Sequence, residues 1–296
     1  MILQNILVFS LYNNTGNIMS LKSLSYEDIY HYFASSIKKS SDFTTGSEHE
    51  LFCFDSKYRM IPYSLHPSNK ATHSDNTSIE KLFSFFTKQK GYTPIKTDGI
   101  TLALSNGRKC ITLEPGCQLE LSGAPYHSLH DMRNEVVEYY QQLHEAQKEF
   151  DIRFAAIGMN PMYSVEEIPH LPKRRYKFMK KYFPLQGNHG QDMMFRTATI
   201  QSNFDFMSES DMAMKMKVAN LLSPFINSMF ANSVYLNKHD TGYKYFRSHI
   251  WKNTDPDRCG FLRFVFNKTF GFEDYIQWLL DIPMIFVKIH DNYIST

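Results

Sequence analysis

The chain lacks the short signatures that announce the commonest catalytic centres. Its four cysteines, Cys53, Cys110, Cys117 and Cys259, include no CxxC pair, and no His/Cys cluster has zinc spacing. None of the 12 histidines falls in HExxH or another metal spacing. There is no GxSxG elbow, no Walker A loop and no GxGxxG, so a serine hydrolase, a P-loop ATPase and a Rossmann dehydrogenase all lack their entry signals. Charge of one sign is also missing: the net charge is +2, too balanced to make nucleic acid or an anionic membrane the main partner. Long apolar runs are absent. The run 6–12 is far too short to cross a bilayer and lacks the basic flank and small-residue cleavage site of a signal peptide. No repeat or low-complexity tract is visible. These absences predict a soluble, cytoplasmic protein whose cysteines are free thiols in a reducing compartment.

What is present is an ordinary core-forming composition. Apolar residues make up 43% and charged residues 21% of 296, with 24 Phe and 18 Tyr, enough for an aromatic-rich core. Residues 1–24 read as an N-terminal extension, with Met19 a candidate start. Residues 25–296 read as a single catalytic-type domain.

Local patterns divide the chain. Ser25 with Asp28 three residues later opens a helix over 26–37. Residues 45–55 read as a strand, 64–76 as a polar loop and 78–89 as a helix ended by Gly91. Two or three strands are expected over 92–121, broken at Asp98-Gly99, Asn106-Gly107 and Pro115-Gly116. Met132, Val136, Tyr139, Leu143, Ala146 and Phe150 keep helical spacing in a long helix from Ser128. Further on, 151–159 reads as strand, 161–172 as loop and 173–182 as a basic helix. Residues 192–206 read as a long strand. A helix starts at Ser208, with Pro224 expected to kink it. Residues 243–251 and 261–266 read as strands around a turn at 255–260, and 273–281 as a last helix before Pro283. The mixture predicts an α+β fold with a mostly antiparallel sheet.

Four segments could carry chemistry. In Gly46-Ser47-Glu48-His49-Glu50, strand alternation puts Glu48 and Glu50 on one side and His49 on the other. Two such carboxylates repel unless a cation lies between them, and oxygen-only ligands suit Mg²⁺. In the segment from Leu113 to Leu121, a two-residue loop would pair Glu114 with Cys117, whereas a three-residue loop would pair Glu114 with Gln118. The second register gathers Glu114, Gln118 and Glu120 and turns Leu119 and Leu121 to the core. It is preferred because the first would bury an unpaired charge beside those leucines. On the expected strand 192–206, Thr197, Thr199, Gln201, Asn203 and Asp205 share one face. Met194, Ala198, Ile200 and Phe204 take the other, and Arg196 needs a partner. Arg247, His249 and Trp251 would share a strand face, with the Arg fork suited to carboxylate or phosphate. The basic segment with Lys173, Arg174, Arg175, Lys180 and Lys181 is most simply a solvated face, although one or two of its residues could meet nucleotide phosphates.

The segments GSEHE, LEPGCQLELSGAP, LPKRRYKFMKKYFP, DMMFRTATIQSNFDF, FANS, YFRSHIWKNTDPDRCG and FVF…FGFEDYIQWLLDIPM occur in one order and resemble the plant and proteobacterial type of glutamate–cysteine ligase. The resemblance runs from Gly46 to Met284. It implies a glutamine-synthetase-like fold, a curved antiparallel sheet lining the active site with helices outside. It also implies ATP as co-substrate and Mg²⁺, two or more ions, holding the phosphates. The implied reaction phosphorylates the γ-carboxylate of glutamate and then lets the amine of cysteine displace phosphate. Matching positions imply metal and phosphate handling by Glu48, Glu50, Glu114 and Glu120. A catalytic set of Glu48, Glu50, Glu120 and Arg247 is also implied, with Arg175 and Lys181 on the ATP phosphates. Gln118, Thr197, Thr199, Gln201, Asn203, Arg247, Trp251 and His130 fall to the amino-acid substrate. Two departures stand out. Family members continue past the point matching Met284 with a block resembling FPEVRLK…EMR, so the domain reads as C-terminally incomplete. The second glycine of the family's EPGGQ turn is Cys117 here, which predicts strain if that position needs φ > 0. The expectations are therefore a ligase of glutamate and cysteine, or a non-catalytic remnant, or one half of a split ligase completed by a second polypeptide.

Overall fold

The computed structural model describes residues 25–65, 73–97, 99–289 and 292–295. The extension 1–24, most of the expected loop 64–76, and Asp98 of the first turn pair lie outside the described residues.

The elements in chain order are helix α1 (Tyr26–Ser35), strand β1 (Thr45–Phe54), α2 (Ile79–Gln89), β2 (Thr93–Thr97), β3 (Ile100–Asn106), β4 (Lys109–Leu113), β5 (Leu119–Ser122), α3 (Leu129–Glu149), β6 (Arg153–Ala155), α4 (Arg174–Gln186), α5 (Gly190–Arg196), β7 (Ile200–Phe204), α6 (Glu209–Met229), β8 (Tyr235–Leu236), β9 (His239–Asp240), α7 (Phe246–Lys252), α8 (Phe272–Asp281), β10 (Phe286–Ile289) and β11 (Asn292–Ser295). Helices and a mostly antiparallel sheet mix as expected. The main sheet runs β2-β3-β4-β5-β1-β6, with β7 also on β1, and every one of these pairs is antiparallel. The long strand β1 holds it together. One edge pairs with β5, and the other pairs first with β7 and then with β6.

Part of the larger core lies on one face of this sheet, under α2 and α3. Leu51, Leu104, Ile111, Leu119 and Leu121 meet Phe86, Tyr139 and Leu143 there, all of them buried. Ser25 and Asp28 form the expected capping box on α1, and Ser78 and Ser128 cap α2 and α3. A second core joins α1, α6 and α8 through Phe33, Met212, Phe272 and Ile276. Two prolines sit inside helices, and each leaves the carbonyl four residues earlier without its helical donor. Side chains supply the missing donors: the Ser223 hydroxyl donates to the Asn220 carbonyl before Pro224, and the Gln191 amide donates to the Lys180 carbonyl before Pro184. The helix α6 therefore continues through Pro224.

Five sequence expectations are corrected. The strand over 192–206 is a short helix, α5, followed by the five-residue β7. Arg196 donates to Asp192 within α5 and to Asn237 in the turn between β8 and β9. Of the residues expected on the apolar face, Met194 and Ala198 are buried, whereas Ile200 and Phe204 are exposed. The strand over 243–251 is the helix α7, and 261–266 ends in a short 3-10 turn. The strand over 151–159 shrinks to β6, and the region 92–121 holds four strands. Among the described residues no helix is long and apolar enough to cross a membrane.

Candidate active site

The hairpin between β4 and β5 adopts the three-residue register. Leu113 pairs with Leu119 and Thr112 with Glu120, and the Glu114 amide donates to the Gln118 carbonyl. Pro115, Gly116 and Cys117 form the loop. A Cβ on Gly116 would come within 2.5 Å of the Phe195 carbonyl oxygen, so only glycine lets the loop tip seat against α5. Cys117 has φ +61°, a left-handed conformation that costs about 1–2 kcal/mol for a residue with a Cβ. Its side chain is buried in the core.

This register, with that of β1, assembles an acidic row on the sheet face opposite Leu51, Leu119 and Leu121. Glu50 lies directly across from Glu120, and Glu48 sits between Ser122 on one side and Gln201 on the other. His49 points the other way, edge-on to Tyr140. Each carboxylate is held by neutral donors. Thr199 N–H and Gln201 Nε2 donate to Glu50 at 2.9 and 3.2 Å. Thr112 and Ser122 hydroxyls donate to Glu120 at 2.6 and 2.8 Å. Asn203 Nδ2 donates to Glu48 at 3.0 Å. These hydrogen bonds place Glu48, Glu50 and Glu120 without neutralising them.

Burial and mutual repulsion dominate the electrostatics. The Glu50 carboxyl is pushed up to about 9 by burial and then by Glu114 and Glu120, against the pull of the Thr199 N–H and Arg247. Burial and Glu120 likewise raise Glu114, with Arg175 and Lys173 opposing. Lys173 is drawn down to about 8 by burial and by the Arg175 guanidinium, with Glu114 and Glu120 opposing. Carboxylates that must hold protons near neutrality are relieved by a cation. An all-oxygen donor set suits Mg²⁺, so the residues fit such an ion. They are a row of neighbours and not a closed cage: among the described residues, no three His, Cys, Asp or Glu side chains already form a metal-holding group.

Beside the row opens a small cleft of about 30 Å³, lined by Glu50, Glu114, Thr197, Thr199, Arg247 and Trp251. Arg247 and Trp251 stand four residues apart on α7 and so share a helix face. Arg247 spends one terminal nitrogen on the Tyr245 hydroxyl at 2.6 Å. Its Nε and the indole Nε1 of Trp251 are buried without a partner, as are Gln118 Oε1 and Arg175 Nε. An unpartnered buried donor or acceptor costs about 1–3 kcal/mol, so such atoms mark where a polar ligand belongs.

The residues expected from sequence divide into two groups. Glu48, Glu50, Glu114, Gln118, Glu120, Thr199, Gln201, Asn203, Arg247 and Trp251 come together on the acidic row or around the cleft. Thr197 lines the cleft too, though from the end of α5, with its hydroxyl donating to the Met193 carbonyl and its own carbonyl accepting from Gln118. Arg175 lies beside Glu114 and over the Tyr176 ring. Lys181 is exposed, turned about 240° around α4 from Arg175. His130 is exposed in the first turn of α3. Sequence reasoning missed Lys173 as a neighbour of the acids, and Thr112 and Ser122 as the hydroxyls gripping Glu120. Strand alternation in the preferred register already places Thr112 opposite Glu120, so that signal was available.

Residues 44–294 match the family described as Glutamate-cysteine ligase family 2 (GCS2). A Medicago truncatula protein named glutamate–cysteine ligase, chloroplastic, is 38% identical over 279 residues, covering 94% of this chain and 52% of that protein. Glutamate–cysteine ligase A, chloroplastic, of Oryza sativa subsp. japonica is 37% identical, with 54% of its length covered. The chloroplastic glutamate–cysteine ligase of Arabidopsis thaliana is also 37% identical, with 51% covered. The chain thus spans about half the length of the curated relatives it matches.

Proposed function

The chain belongs to glutamate–cysteine ligase family 2, and we propose that its cleft binds L-glutamate and the phosphates of ATP for ligation of the γ-carboxylate of glutamate to the amine of cysteine. The product would be γ-glutamylcysteine, the first intermediate of glutathione biosynthesis. The observation that carries this reading is the juxtaposition of Glu50 and Glu114, with Glu120 paired across from Glu50, and the unpartnered donors of Arg247 and Trp251 around one cleft. A sheet that lines the site with helices behind it is also what a glutamine-synthetase-like fold would provide.

The γ-carboxylate attacks the terminal phosphorus of ATP, ADP leaves, and an acyl phosphate results. The amine of cysteine then attacks the acyl carbon, phosphate leaves and the amine loses a proton. Little covalent work falls to the protein in such chemistry, so positioning and charge neutralisation are its contributions. Arg247 offers its free edge to a glutamate carboxylate, and Trp251 adds a wall and one N–H. Gln201 and Asn203 fix the acids from β7. Two or more Mg²⁺ ions, held by Glu48, Glu50, Glu114 and Glu120, would supply neutralisation of the phosphate oxygens. Arg175 and Lys173, beside Glu114, are the cations we assign to the transferred phosphoryl group. We place this chemistry in the cytoplasm; the names of the plant relatives place those proteins in the chloroplast.

The test is product formation. The purified chain, alone and mixed with the polypeptide that follows the matched region in the Medicago relative, is given ATP, Mg²⁺, glutamate and cysteine, with other amines alongside. Expected is γ-glutamylcysteine in at least one mixture, dependent on ATP and Mg²⁺ and lost in Glu50→Ala and Arg247→Ala. No product in either mixture, or product that survives both substitutions, refutes the reading.

A further inference from the structure

The helix α6 has an apolar face turned to solvent. Met214, Val218, Leu221, Leu222, Phe225 and Met229 are between 43% and 75% exposed. At about 100° per residue they fall within an arc of about 100° on the helix. The opposite face is the one packed in the second core, where Met212 and Ala213 are buried and Met216 packs against them. From Met212 to Phe230 the chain carries no acidic residue, and its polar residues Lys215, Lys217, Asn220, Ser223, Asn227 and Ser228 all lie outside the apolar arc. Six large apolar side chains exposed side by side on one helix face form the kind of contiguous apolar patch that marks an interaction surface.

The half-length match identifies what belongs there. The region shared with the relatives includes α6, and each relative carries about as much chain again outside that region. We propose that the exposed face of α6 is the docking surface for the remaining half of the family's chain, a polypeptide presenting a complementary apolar face. A core cut open along a helix leaves such a stripe: regular in period, free of acids and backed by a packed opposite face. The inference rests on family membership and not on catalysis, so a failed turnover assay leaves it standing, and loss of docking leaves the ligand-binding reading standing.

The experiment is a direct binding measurement. The 296-residue chain is mixed with the polypeptide that follows the matched region in the Medicago truncatula relative, and the pair is followed by sedimentation velocity and calorimetric titration at about 5 µM. Expected is a one-to-one complex that Leu221→Asp and Phe225→Asp each weaken by at least about 30-fold, the size of a hot-spot loss. Both variants alone should melt close to the parent, because neither side chain is packed; if one melts early, the other carries the test. Absence of a complex with the parent chain overturns the proposal, and so does a complex indifferent to both substitutions. Two further outcomes also overturn it by naming another occupant: a dimer of the parent chain that Leu221→Asp disperses, or binding to anionic vesicles that the same change abolishes.

Discussion

Replacing Glu50 by Gln should stabilise the chain at alkaline pH while damaging its site. The Glu50 carboxyl moves from an ordinary 4.5 to about 9 in the fold, driven by burial, Glu114 and Glu120. Between those two values the folded protein holds a proton that the unfolded chain has released. The native state then binds one more proton than the unfolded state, so stability falls as pH rises, by about 1.4 kcal/mol per unit. This contribution is complete below 4.5 and is lost as pH climbs through the folded value. From pH 5 to pH 8 it removes about 4 kcal/mol, a large part of a typical 5–15 kcal/mol. Glutamine is neutral throughout and keeps an oxygen to accept the Thr199 N–H. Urea denaturation in EDTA across pH 5–9 should therefore show the parent losing about 4 kcal/mol more than Glu50→Gln over this range. The variant should be the more stable protein at pH 8. Added Mg²⁺ should narrow the gap by stabilising the parent. Parallel pH profiles, or a variant less stable than the parent at pH 8 without metal, would show that Glu50 is not held among buried like charges and would remove the electrostatic basis of the site.

Three other outcomes are expected. Glu120→Gln, which keeps the shape that Thr112 and Ser122 grip, should weaken Mg²⁺-dependent nucleotide binding by at least about 10-fold without unfolding the chain; unchanged calorimetric affinity would take Glu120 out of the site. Arg247→Lys should lower glutamate affinity by about 10- to 100-fold, because an ammonium cannot bond Tyr245 and a carboxylate with the same fork; full affinity in the lysine variant would show that the fork is not used. Cys117→Gly should be about 1 kcal/mol more stable than Cys117→Ala in chemical denaturation, since both lose the thiol but only glycine relieves the positive φ; equal stabilities would mean that the turn carries no strain.

Much of the site was legible because it depends on a period and not on the whole fold. Glu48 and Glu50 two residues apart require a strand, and apolar flanks make one. The pairing of Glu114 with Gln118 followed from refusing to bury an acid beside Leu119 and Leu121. Arg247 and Trp251 were placed together from the wrong element. Residues four apart share a face in a strand and in a helix alike, so their pairing survived the change from strand to α7 while the expected alignment with His249 did not. Where the reading failed, tertiary contacts outweighed local preference. The stretch around Phe195 is aromatic and near β-branched residues, yet it folds as α5. Its Asp192 and Arg196 meet only at helical spacing, and its end is seated against the glycine of the Pro115 loop. Short apolar runs do not distinguish the two states by period alone. Lys173 was hidden for a different reason: a lysine beside two arginines reads as solvated charge until the fold shows acids next to it.

The acids could not have reached this arrangement by their own interactions, which oppose it. The opposite face of the same strands supplies the force. His49 pairs with Leu121 and Leu51 with Leu119, while Leu113 pairs with Leu119 across the hairpin, and these leucines are buried under α2 and α3. Burying each leucine contributes about 1.5–3 kcal/mol. A slip of one residue would turn every one of them to solvent and drive Glu48, Glu50 and Glu120 into the core. The register that sets Glu50 opposite Glu120 is therefore chosen by the hydrophobic face, and the acidic face accepts the repulsion that follows. Removing an acid from such a row should raise stability and remove function together, whereas removing a leucine beneath it should lower both.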